Sequence, residues 1–145
     1  MRAQEQLTAI REAEMALLGS ILIYPDVIGE VRQAIHPQDF ADHRFRDNLH
    51  TRIYEAMLSC QHPDQITVAR EMNRRGTLRR GDCTYLCRLV AEVPCPLDYM
   101  YYAQAVAEYS LKRKLQYHTA EGNYDKARML LDKKAKPHFR GGIQL

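Results

Sequence analysis

Apolar residues recur at intervals of three and four along most of this chain. Ile10, Ala13, Leu17 and Ile21 form one stripe, widened by Leu18 and Leu22. This pattern predicts a deeply buried first helix ending near Tyr24. Gly19 sits in its middle, where glycine costs about 1 kcal/mol relative to alanine. Its presence predicts the close approach of a neighbouring helix. Pro25 suits the first position of a second helix, with Ile28, Val31 and Ile35 as its stripe and Val27 beside it. His36-Pro37 stops that helix, because a residue before proline disfavours helical angles. Asp39-Phe40 follows as a short connector, with Phe40 anchoring the loop.

Phe45, Leu49, Ile53 and Met57 step by four and predict a third helix running to about Cys60, with Asp42 and Asp47 as candidate caps. After Pro63-Asp64, Thr67 is the expected N-cap of a short helix carrying Val68, Ala69 and Met72, closed by Gly76. Thr77–Asp82 reads as a turn. Tyr85, Leu86, Leu89, Val90 and Val93 mark another helix, ended by Pro94 and Pro96. Asp98 is placed to cap a long helix from about Tyr99 to Glu121, with Tyr102, Ala105, Val106, Tyr109 and Leu115 on its apolar face. Gly122-Asn123 is a turn signal, and a last helix, about Tyr124–Lys136, carries Ala127, Leu130 and Leu131.

Strand signals are nearly absent: there is no sustained alternation and no Asn-Gly or Asp-Gly hairpin turn. The expected architecture is all-α. A compact helical globule of about five helices (residues 1–97) precedes a long two-helix hairpin (98–136) and a flexible tail (137–145). A hairpin of this kind leaves an apolar seam that marks an oligomer or partner interface. The expected self-association residues are Tyr102, Val106, Tyr109, Leu115, Leu130 and Leu131.

The chain's 145 residues suit one domain and are too few for a complete motor ATPase beside it. A formal net charge of +3 argues against a dedicated polybasic nucleic-acid binder. No apolar run approaches the ~18 residues of a membrane span, and the charged N-terminus does not read as a signal peptide, so the expected setting is cytoplasmic.

Chemical motifs are missing. There is no Gly-Lys dipeptide, and with it no Walker-type phosphate loop; G-x-G-x-x-G, H-E-x-x-H and G-x-S-x-G are also absent. No catalytic residue, cofactor or metal is expected. Cys60, His62, Cys83 and Cys87 do not follow the spacing of structural zinc sites and read as thiols in a reducing compartment. Asp39, Asp42 and Asp47 read as solvated helix-flanking residues. His43 and His50, seven apart, read as sharing a wet helix face. Two basic clusters remain. Arg70, Arg74, Arg75, Arg79 and Arg80 outweigh Glu71, and the stretch Lys112–Lys136 carries eight basic against three acidic residues. Arg74, Arg75, Arg79 and Arg80 are candidates for nucleic-acid or partner contact, although the preferred reading is a solvated helix face.

Glu12-Ala13-Glu14 followed by Leu17-Leu18-Gly19-Ser20-Ile21-Leu22 resembles the opening of the N-terminal domain of DnaB-type replicative helicases. Pro37-Gln38-Asp39-Phe40 is similar to that family's Pro-Glu-Asp-Phe element. His50-Thr51-Arg52-Ile53-Tyr54-Glu55-Ala56-Met57 resembles its next helix. Ile66-Thr67-Val68-Ala69 through Arg75-Gly76-Thr77-Leu78, then Tyr85-Leu86, Val93-Pro94 and Tyr101-Tyr102-Ala103, complete the ordered set. Gly81-Asp82-Cys83-Thr84 departs from the family's Gly-Gly pair, and Ala41–Asn48 is a few residues longer than the family's usual segment. The family's motor domain is absent from this sequence, which reads as a fragment or a stand-alone relative.

The resemblance implies a non-catalytic oligomerisation and primase-interaction domain of a replicative helicase, acting in primosome assembly in a bacterium or in a phage with a bacterial host. Its implied partners are a second copy through the hairpin, a higher ring in the full helicase, primase and a helicase loader, with direct DNA contact weak or absent. The alternatives are a small DNA-binding module and the related helicase-binding domain of a primase.

Overall fold

The first helix, α1 (Ala3–Ile23), is the axis on which the others assemble. Its second half is buried on nearly every side, from Ala16 to Leu22, which is why its apolar residues spread beyond a single stripe. The computed structural model describes residues 3–41 and 45–134. Within them follow α2 (Ile28–Ala34), α3 (Leu49–Leu58), α4 (Gln65–Arg74), α5 (Asp82–Glu92), α6 (Tyr99–Ala120) and α7 (Tyr124–Lys134). Single 3₁₀ turns, each opened by a proline, occupy Pro25–Val27, Pro37–Asp39 and Pro96–Asp98. No strand occurs among the described residues, and none of their helices is long and apolar enough to cross a membrane. The all-α expectation holds.

Helix α1 packs most extensively on α6 and α5, and α3 and α4 pack on each other. One continuous core results, with Leu17, Leu18 and Ile21 of α1 meeting Ile53 and Met57 of α3, Leu86 and Leu89 of α5, and Ala103 and Val106 of α6. The first half of α6 is therefore part of the globule. The expected boundary near residue 98 falls between two elements of one packing unit, and only the later turns of α6 and α7 leave it. The expected tail, 137–145, lies outside the described residues.

Local signals account for most helix ends. Gly76 (φ +73°) and Gly122 (φ +75°) take the left-handed conformation just past α4 and α6. At each, the next residue's N–H reaches back a full turn, Thr77 to the Met72 carbonyl (2.9 Å) and Asn123 to the His118 carbonyl (2.8 Å). Three expectations are corrected. Pro25 opens a 3₁₀ turn, and α2 starts only at Ile28. Asp64 caps α4, accepting from Ile66 and Thr67 N–H groups, while Thr67 sits three residues on and returns its hydroxyl to the Asp64 N–H. Asn48, in a left-handed conformation, precedes α3, so Asp47 is not its cap; Asp42 lies outside the described residues.

Gly19 behaves as its position implies. A Cβ there would collide with the Leu89 carbonyl oxygen and lie 3.2 Å from the Val93 Cβ. Gly29 in α2 has nothing within 4 Å of the same hypothetical atom. Opposite signs follow for the same substitution. Gly19→Ala lowers unfolding free energy by about 1–3 kcal/mol through overpacking. Gly29→Ala raises it by up to about 1 kcal/mol through helix propensity. Urea denaturation of the two variants checks both.

Candidate interaction surface

The hairpin of α6 and α7 turns at Glu121–Asn123. Asn123 closes α6 through its N–H, and its side-chain oxygen accepts a long 3.4 Å bond from the Lys126 N–H, starting α7. Ala127 is buried and Leu130 half-buried, the positions expected where α7 lies along α6. The outer surface is unexpectedly apolar. Tyr117, Tyr124, Met129 and Leu131 are 63%, 67%, 62% and 53% exposed. Tyr124 and Leu131, seven residues apart, recur on one side of α7.

Of the residues expected on the seam, Leu131 alone stands in solvent. Leu115, Leu130 and Tyr109 are half-buried. Tyr102 is half-buried against the core, and its hydroxyl accepts the Cys95 N–H at 3.2 Å. Val106, 1% exposed, is a core residue of the globule and so is not on the seam. The expectation followed the buried stripe of α6. Exposed Tyr117 lies off that stripe, and Tyr124, Met129 and Leu131 are on α7.

A buried carboxylate fixes α6 to the globule. Asp39 accepts the Ser110 hydroxyl at 2.7 Å and the Lys114 ammonium at 3.3 Å on one oxygen, and the His36 N–H at 2.8 Å on the other. Arg113 donates to the Asp39 carbonyl at 2.7 Å, and burial pulls its guanidinium below its ordinary pKa. At the other end, Tyr99 donates to Glu30 of α2 at 2.6 Å. Asp39 is therefore buried and not a solvated flank, and two cations of the second basic cluster serve as anchors.

Two further polar clusters stiffen the globule. His50 is 4% exposed, which corrects the wet face expected for it; His43 lies outside the described residues. The His50 ring bridges Glu14 of α1 (2.7 Å) and the Tyr85 hydroxyl of α5 (2.6 Å), and Glu14 also accepts the Ala41 N–H at 2.9 Å. Phe45 packs against both rings. Burial pushes the Tyr85 hydroxyl up to about 12. Arg52 of α3 pairs with Asp82 at 2.6 Å and also donates to the carbonyls of Arg46, Asp47 and Thr77.

The first basic cluster is partly offset locally. Arg74 and Arg75 both bind Glu71, and the hydrogen bonds from Arg74 lead in holding its carboxyl down at about 2. Arg75 also reaches the Ser59 hydroxyl. Arg79 lies 3.4 Å from Asp47, and Arg80 is exposed. His62 pairs with Asp26 at 2.9 Å. No group of three or more His, Cys, Asp or Glu side chains among the described residues is placed to hold a metal.

These features define an all-α domain whose globule is braced to present a helical hairpin. Residues 6–108 match the family described as DnaB-like helicase N terminal domain. Replicative DNA helicase DnaB of Mycobacterium leprae is 38% identical over 108 residues, covering 71% of this chain and 17% of that protein. Replicative DNA helicase DnaC of Bacillus subtilis is 33% identical over 109 residues, covering 72% and 23%. The crystal structure of the N-terminal domain of DnaB helicase from Mycobacterium tuberculosis matches with a TM-score of 0.70 at 32% identity, over 84% of this chain and 95% of that one. The chain belongs to the DnaB-like helicase N-terminal domain family. It spans less than a quarter of the length of these two curated relatives.

Replacing Asp39 by alanine removes charge-assisted bonds and strands the buried Ser110 hydroxyl. A loss of about 2–3 kcal/mol is expected, read from chemical denaturation. Tyr85 gives a second test. Its folded pKa lies above the unfolded value near 10, so the unfolded state releases its proton first. The stability this confers is complete below pH ~10 and falls as pH rises toward about 12. Alkaline denaturation of Tyr85→Phe against the parent checks the sign, the variant losing less stability across that interval.

Proposed function

We propose that this domain is the non-catalytic N-terminal oligomerisation and primase-interaction domain of a replicative DNA helicase, acting in primosome assembly. Exposed Tyr117, Tyr124, Met129 and Leu131 on the hairpin carry the reading. Aromatic residues and methionine are enriched at protein interfaces, and a second copy packed along α7 removes them from water. The family supports the rest: it is described as the N-terminal domain of DnaB-like helicases, and the relatives named above are replicative DNA helicases. Primase and a loader are the expected hetero-partners, and the compartment is the bacterial cytoplasm. Arg74 and Arg75 share the single carboxylate of Glu71, which offsets one of their two charges; the exposed apolar side chains of the hairpin, rather than this cluster, favour protein over DNA as the partner.

Sedimentation equilibrium of the full chain tests the reading. A concentration-dependent dimer is expected, weakened at least about tenfold by Leu131→Glu, equivalent to about 1.4 kcal/mol. Circular dichroism controls for folding, since Leu131 is exposed. A chain that stays monomeric at high concentration overturns self-association. The primase arm is read separately, by anisotropy titration of the chain with the helicase-binding domain of a bacterial primase.

A further inference from the structure

Helix α5 carries two exposed cysteines, Cys83 and Cys87, one turn apart. Side chains four apart on a helix lie on the same side, with Cβ atoms about 5–6 Å from each other. The other two thiols differ. Cys60 is half-buried and donates to the Ala56 and Thr67 carbonyls at 3.3 and 3.8 Å, and burial pushes its pKa up. Cys95 is half-buried in the linker before α6. A neighbour also orients Cys87: the Gln65 amide of α4 donates to its sulfur at 2.7 Å.

We propose that Cys83 and Cys87 form a surface dithiol site for a thiophilic ion that accepts two sulfur ligands. Three observations set the ligand class. The donors are two thiols, which favour soft metals and metalloids. No third His, Cys, Asp or Glu joins them in a metal-holding group among the described residues, so the tetrahedral set of structural zinc is not supplied. Their separation also disfavours a direct bond. A disulfide needs Cβ atoms about 3.8 Å apart, well short of the spacing on a regular helix, whereas a single bridging atom spans the gap without unwinding α5. A trivalent arsenical meets these requirements. An arsine oxide, R–As=O, exchanges its oxygen for both sulfurs to give R–As(S-Cys83)(S-Cys87). The two thiol protons leave with the oxygen as one water, and arsenic stays trivalent, so no oxidant or reductant is needed.

Phenylarsine oxide is the probe, added at one equivalent to the full, reduced chain. Intact-mass measurement is expected to show one phenylarsenic unit bound per chain, with two thiols lost to titration. The adduct survives an excess of a monothiol and is stripped by a dithiol. Cys83→Ser and Cys87→Ser each weaken capture by about 100-fold or more, because the second sulfur no longer binds intramolecularly. The double replacement of Cys60 and Cys95 by serine leaves capture unchanged. Three outcomes overturn the site: no mass gain in the parent chain, a parent adduct removed by monothiol, or full capture by either single variant.

Discussion

The close approach of α1 and α5 is the constraint on which the rest depends. Because Gly19 lacks a side chain, the backbone of α1 meets the Leu89 carbonyl directly. This contact sets the depth at which α1 lies. With α1 sunk to that depth, Leu17, Leu18 and Ile21 reach α3 and α6 together, and one helix packs on α3, α5 and α6. Apolar packing is tolerant of identity but not of separation, so a backbone contact fixes what side chains alone leave adjustable.

The buried polar groups work on orientation. Glu14, His50 and Tyr85 join α1, α3 and α5 through directional bonds inside the core. Arg52 gathers the loops before α3 and before α5 onto a single guanidinium, whose planar fork offers five donors in fixed directions. Apolar contacts carry little directionality, and such clusters add it because a half-satisfied buried charge is expensive.

Much of the architecture was legible in the sequence. The seven helices among the described residues, their order, the glycine-marked ends of α4 and α6 and the function of Gly19 follow from period and punctuation. Capping was less so: Asp64 and Thr67 are both good N-cap residues, and only the reciprocal bonds decide which stands first. Asp39 and His50 were misplaced for a shared reason. Polar side chains at loop or helix positions default to solvent, and nothing local in sequence tells that Ser110, 71 positions away, will arrive to bury Asp39. The hairpin surface was the hardest part, since the apolar period of α6 marks what is buried, and exposed Tyr117 lies off it.

Helix α6 runs without interruption from the core, at Ala103 and Val106, into the hairpin. At about 1.5 Å per residue, its 22 residues make a rod of roughly 33 Å. It is clamped near its midpoint by Asp39 and carries α7 on its far half. Such a body is a lever with its fulcrum inside the globule. A small tilt at the clamp becomes a larger sweep at the tip, and a load on α7 is felt as torque on the Pro-Gln-Asp-Phe turn. The hairpin and the globule are mechanically one object, and what grips the arm also leans on the core.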